Sequence, residues 1–239
     1  SASSNSNGSI TSSVSASTDA GFSIISYTGV GGTSNTLGHG LGVKPKMFIV
    51  KCRSHAGEYW GTWIDTDGDG TSNYRLSLNV TDAAYGNDPI TFSNSTITLP
   101  SSANTQWDGS GRTYIGYCFS EKKGYSKIGS YVGNDNANGT FVYTGFAPAW
   151  VMIKRTNSVN NWIILDRKRN PINPSDERIF ADQTTAASTA NTMVDFLSNG
   201  FKPRSTYGGI NGASDNFVYM AFAESPFVNS AGAVPTNAR

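Results

Sequence analysis

Gly42-Val43-Lys44-Pro45-Lys46-Met47-Phe48-Ile49-Val50-Lys51 returns later in the chain as Gly145-Phe146-Ala147-Pro148-Ala149-Trp150-Val151-Met152-Ile153-Lys154. In each copy a proline precedes a short, continuous apolar run. Proline lacks an N–H, which does no harm ahead of a strand, and a run apolar at every position suits a strand buried on both faces. These two runs therefore read as the central strands of two separate β-units.

Other echoes keep the same order and spacing. Gly21-Phe22-Ser23-Ile24-Ile25-Ser26-Tyr27-Thr28-Gly29 is answered by Gly124-Tyr125-Ser126-Lys127-Ile128-Gly129-Ser130-Tyr131-Val132-Gly133. Tyr114-Ile115-Gly116-Tyr117-Cys118-Phe119-Ser120-Glu121 is answered by Phe217-Val218-Tyr219-Met220-Ala221-Phe222-Ala223-Glu224. A period of about a hundred residues is long for a solenoid turn and suits a small β-domain. Strands ending in Asp follow each central run, at Trp60-Gly61-Thr62-Trp63-Ile64-Asp65 and Trp162-Ile163-Ile164-Leu165-Asp166. Edge strands come next, at Arg75-Leu76-Ser77-Leu78 and Arg178-Ile179-Phe180. Residues 81–85 and 184–190 have room for a helical turn and nothing longer. The expected fold is all-β: two tandem, internally duplicated antiparallel β-sandwich units of jelly-roll or lectin-like type. Their expected limits are 21–123 and 124–227, joined through Lys122-Lys123-Gly124 so directly that they dock rigidly or share a sheet. Residues 1–20, nearly all Ser, Thr, Asn, Gly and Ala, read as a linker or extended arm, with Ile10 and Val14 available to lie along a neighbour. Residues 228–239 read as a small, polar tail.

Composition narrows the function. The 239 residues carry a formal charge of +1, and only 15% are charged. That balance argues against a nucleic-acid binder, which needs a basic face. No apolar run reaches membrane-spanning length, so no membrane insertion is expected. The chain opens on Ser with no Met and no visible signal peptide, and Ser1 reads as an internal or processed position. Cys52 and Cys118 lie in apolar runs whose counterparts hold Arg155 and Ala221, so they read as free, inert thiols.

Few constellations carry chemistry. Asp65-Thr66-Asp67-Gly68-Asp69-Gly70 resembles the opening of a calcium loop, in which Asp65, Asp67 and Asp69 would converge on one cation. The twelfth position is Leu76, where a bidentate Glu belongs, and no helix flanks the loop, so the match is partial. Calcium is the one cofactor the sequence suggests. His39 and His55 lack ligand spacing and read as structural or surface residues. A glycosidase needs facing carboxylates, and Asp65 with Glu121 or Asp166 with Glu224 are the repeated acids to test. Each ends a strand, which fits turn capping better. Trp60, Trp150 and Trp162 recur at matched places and read as core. Tyr59, Tyr85, Trp107 and Tyr207 lack clear counterparts and sit among turn residues, so they are the expected glycan contacts, with rings stacking on sugar faces.

Taken together, the runs at 38–51, 114–121 and 124–133 resemble a module repeated in bacteriophage virion proteins, frequent in marine phages. The lead-in Gly8-Ser9-Ile10-Thr11-Ser12-Ser13-Val14-Ser15-Ala16-Ser17 and the run Asp195-Phe196-Leu197-Ser198-Asn199-Gly200-Phe201-Lys202 extend the resemblance, which covers residues 8–239. It implies a virion-surface protein (tail fibre, spike or capsid appendage) that contacts other virion proteins and forms a homo-oligomer, most often a trimer. It supplies no catalytic motif. The expected function is non-enzymatic recognition of a host surface polysaccharide. The alternatives are a capsid decoration or head-fibre protein that binds only virion proteins, and a glycan depolymerase.

Overall fold

The structure is a computed structural model that describes residues 1–86, 88–100 and 104–224. The segment read as a tail, 228–239, lies outside the described residues. The chain divides into two compact units.

The first unit comprises Ser1–Asn79 and Ala84–Glu121. In chain order it holds β1 (Ser3–Asn5), β2 (Ser12–Ser17), β3 (Phe22–Thr28), β4 (Thr36–Gly38), β5 (Met47–Cys52), β6 (Gly61–Ile64), β7 (Tyr74–Ser77), β8 (Thr91–Phe92), β9 (Thr96–Thr98), the one-turn α1 (Thr105–Asp108) and β10 (Thr113–Phe119). A seven-stranded sheet runs β1-β2-β3-β10-β5-β6-β7, and a three-stranded sheet runs β4-β9-β8. All ladders in both are antiparallel. The core draws on both sheets, with Ile25, Phe48, Val50 and Trp63 from the larger and Leu37, Phe92 and Ile97 from the smaller. This is a sandwich, as the alternating and fully apolar runs require.

The second unit comprises Val80–Ala83 and Lys122 onward. It holds β11 (Ser126–Val132), β12 (Val142–Tyr143), β13 (Pro148–Arg155), β14 (Ile163–Asp166), β15 (Arg178–Phe180), β16 (Val194–Leu197), β17 (Gly200–Pro203), the one-turn α2 (Gly208–Asn211) and β18 (Asn216–Ala223). Its sheets run β11-β18-β13-β14-β15 and β12-β17-β16. Strand for strand this order matches β3-β10-β5-β6-β7 and β4-β9-β8. One exchange of bulk runs between cross-strand partners. Ile25 faces Gly116 in the first unit, and Gly129 faces Tyr219 in the second. A side chain at Gly116 would run into Phe48, and one at Gly129 would crowd Tyr219. Each pair thus places one large and one absent side chain in the same layer.

Several expectations need correction. The Ser-rich stretch 1–20 is no linker: it supplies β1 and β2 to the chain's own sheet, and Ile10 and Val14 enter the first core. Unpaired backbone groups on the edge of β3 are satisfied by β2, and this outweighs the polar composition. The helical turns expected at 81–85 and 184–190 do not form. The two helices instead lie just before the last strand of each unit. Among the described residues each sheet lies within one unit.

The excursion Val80–Ala83 is tied into the second unit by the Thr81 carbonyl. It accepts from the Asn160 N–H at 2.8 Å and from Lys154 Nζ at 2.9 Å. Lys154 is fully buried and also donates to the Asn160 carbonyl at 2.6 Å. Burial pulls its pKa down to about 8, against the partly compensating charges of Asp182 and Asp82. Between pH 8 and its ordinary value the unfolded chain binds the extra proton, so this group's contribution to stability grows as pH rises through that window and is at its lowest below it. Wild-type protein is therefore expected to gain on the order of 1 kcal/mol relative to Lys154→Met between pH 8 and 9.5. Urea melts of both proteins across that range check this, and parallel pH profiles would contradict it.

Candidate ligand-binding surface

Trp107, expected as a ligand contact, is 1% exposed. Asn104 caps α1 by accepting from the Gln106 N–H at 2.8 Å, and the resulting turn swings the indole inward. There it meets Trp63 edge-on at 5.4 Å, under the Arg75 guanidinium at 4.7 Å. Trp107 is therefore a core residue and not a surface contact. Tyr85 is half-buried, with Arg75 over its ring at 5.1 Å. Arg75 pairs with Asp88 at 2.5 Å, beside a small cleft lined by Ser72, Asn73, Arg75, Tyr85, Asp88 and Pro89. Tyr85 and Trp107 thus meet through one arginine, which already occupies their π-faces. Tyr207 is half-buried against the second core, with Arg178 over its ring at 5.1 Å. Tyr59 alone of the four is well exposed, at 45%. Trp162 is core and Trp150 half-buried, while Trp60 stacks on Tyr117 at 6.3 Å.

The acidic loop does gather. Asp65, Asp67 and Asp69 each offer an oxygen within 4.8 Å of the others. Asp65 is fully buried and accepts from the Gly68 N–H at 2.6 Å and the Gly70 N–H at 3.1 Å. Asp67 accepts from the Asn73 amide at 2.8 Å, which holds its pKa below the usual carboxylate value. Lys46 Nζ stands 3.6 Å from Asp65, and Lys44 donates to the Asp69 carbonyl at 2.9 Å. These are the residues able to hold calcium, and the ion would compete with Lys46 for Asp65.

Other candidates have structural partners. His39 is buried, and burial lowers its pKa. One ring nitrogen lies 3.2 Å from the Ser93 carbonyl, and the other accepts from the Leu41 N–H at 3.2 Å. Both cysteines are buried and free, and burial pushes the Cys118 thiol well up, out of the nucleophilic range. Glu224 pairs with Lys168 at 2.8 Å, and the Lys168 N–H donates to Asp166, a turn-capping arrangement.

The aromatic pair that sequence reasoning did not select is Phe141 and Tyr143, exposed 45% and 62%. They flank buried Val142 at the β12 edge, and side chains two residues apart on a strand share a face. Loop 134–138, rich in exposed Asn, leads into them. Asn211 of α2 holds it. Its side-chain Oδ1 accepts from the Asn134 N–H at 3.0 Å, and its Nδ2 donates to Asn134 Oδ1 at 3.0 Å and to the Asn136 carbonyl at 2.8 Å. Two exposed rings two residues apart, preceded in the chain by an Asn-bearing loop with a fixed course, offer a platform for a ligand with one apolar face and a hydroxylated rim.

The chain belongs to the family described as Domain of unknown function (DUF7483), whose model matches residues 1–226. No curated protein and no solved structure matched it.

Proposed function

We propose that this family member is a non-enzymatic binding module of a virion surface that recognises a host cell-surface glycan through the β12 platform. The observation that carries the reading is the exposed pair Phe141 and Tyr143 on one face, with the Asn-bearing loop 134–138 beside it. Pyranose rings present C–H faces that stack on flat aromatics, and their hydroxyls bond to short amide side chains. The virion setting rests on the sequence resemblance, and the sandwich fold supports a display module. A shallow platform binds weakly alone. A symmetric oligomer, a trimer in this reading, would raise the apparent affinity by roughly 10²–10⁴ through avidity.

A glycan array probed with the purified chain, in calcium and in chelator, tests this. The expected result is saturable binding to at least one surface polysaccharide fragment. Chelator sensitivity would place calcium at Asp65, Asp67 and Asp69. Binding to no glycan and to no host cell would overturn the reading in favour of a structural module that binds only virion proteins.

A further inference from the structure

The outer face of the seven-stranded sheet carries a groove of about 460 Å³ lined by Thr11, Ser26, Tyr27, Thr28, Arg53 and Thr113. The ladder explains its composition. Tyr27 is buried, so its neighbours Ser26 and Thr28 face the opposite side. Thr28 is opposite Thr113, and the Arg53 N–H donates to the Thr113 carbonyl at 2.7 Å. Ser13 is opposite Ser26, which carries Thr11 to the level of Thr28 two residues back. Thr11, Thr28, Thr113 and Arg53 thus form one row across four adjacent strands. At about 4.8 Å per strand, the row is roughly 14 Å long. Three hydroxyls lead to a guanidinium, and all four residues are exposed. Among the described residues Arg53 has no ion-pair partner within 4 Å. The same row in the second unit reads Val132, Asn216 and Thr156, with no cation. The charge is therefore particular to the first unit and is not demanded by the fold.

We propose that this row is a second binding site, independent of the β12 platform, that takes an anionic saccharide. Arg53 would hold its carboxylate or sulfate ester, and the threonine hydroxyls would hold the adjoining ring oxygens. A guanidinium pairs with either anion through two parallel hydrogen bonds, and hydroxyls serve as donor or acceptor as required. Lysine would match the charge without the fork.

Affinity electrophoresis of the purified chain in gels containing dextran sulfate, polygalacturonate or neutral dextran tests the site. Retardation is expected in dextran sulfate, in polygalacturonate or in both, which tells sulfate ester from carboxylate, and none is expected in neutral dextran. Arg53→Ala is expected to weaken retention about tenfold or more, and Arg53→Lys to restore only part of it. Thr28→Val combined with Thr113→Val leaves the charge unchanged and is expected to weaken it several-fold. Phe141→Ala combined with Tyr143→Ala and, separately, the exposed Arg167→Ala are expected to leave it intact. Three results would overturn the proposal: no retention in either anionic gel, equal losses from Arg53→Ala and Arg167→Ala, or equal binding to a (dT)20 oligonucleotide, which would mark unspecific charge attraction.

Discussion

Trp107→Ala is expected to destabilise the first unit by about 3–5 kcal/mol, the cost of removing a large buried aromatic. The indole fills the space beside Trp63 and under Arg75, and the Trp107 carbonyl accepts from the Tyr27 hydroxyl at 2.6 Å. Removing the ring leaves a cavity and strips Arg75 of one of its two aromatic neighbours. For a unit of this size the melting temperature should fall by more than about 10 °C. Trp107→Phe should recover part of the loss, since it refills part of the volume. Near-UV circular dichroism melts measure both. A variant that melted like wild type and lost only ligand binding would restore Trp107 as a surface contact.

Asn211→Ala is the second large effect, at about 3–5 kcal/mol on the second unit. The side chain is fully buried and serves the Asn134 N–H, Asn134 Oδ1, and the carbonyls of Asn136 and, at 3.0 Å, Ser205. Alanine removes the one buried side chain that joins these part-buried groups, and Asn134 Oδ1 keeps only the Asn136 N–H. Asn211→Asp is expected to fail as well, because a carboxylate would face three carbonyl oxygens, those of the Asn134 side chain and of the Asn136 and Ser205 backbone, in place of the amide donor. In the first unit the residue at the end of α1 is Asp108, and the difference in partners explains the difference in residue. Its carboxylate accepts from the Val30 N–H at 2.9 Å, the Gly31 N–H at 3.3 Å and the Asn35 amide at 2.7 Å. Urea denaturation gives the stability, and amide hydrogen exchange of loop 134–138 gives the local effect. Exchange unchanged from wild type would contradict the anchoring role.

The central strands were legible because their signal is local: β5 is apolar at four successive positions, and β13 at four as well, each behind a proline. The N-terminal strands were not. In β2 the buried side of the alternation is Ser12 and Val14, with Ile10 ahead of it, so one serine hides the period that apolar residues would have shown. That strand exists because the edge of β3 needs partners, which is a fact about residues further along the chain. The burial of Trp107 is hidden from the sequence for a similar reason. It lies in the polar run Thr105-Gln106-Trp107-Asp108-Gly109, and its burial depends on Trp63, far away in sequence. Phe141-Val142-Tyr143 is apolar on both faces, so the sequence could not tell which face is outward. The acidic loop was legible as a cluster, whereas Lys46 and Lys44 beside it come from the segment before β5.

In the proposed function, recognition belongs to the exposed rings of Phe141 and Tyr143 and not to the buried aromatics. The most direct measurement is calorimetric titration of the strongest array glycan into wild type, Phe141→Ala with Tyr143→Ala, and Tyr207→Phe, with melting curves for each. Loss of stacking on two rings is expected to weaken binding at least about tenfold, with melting unchanged, while Tyr207→Phe binds as wild type. Wild-type affinity in the Phe141/Tyr143 variant would contradict the claim.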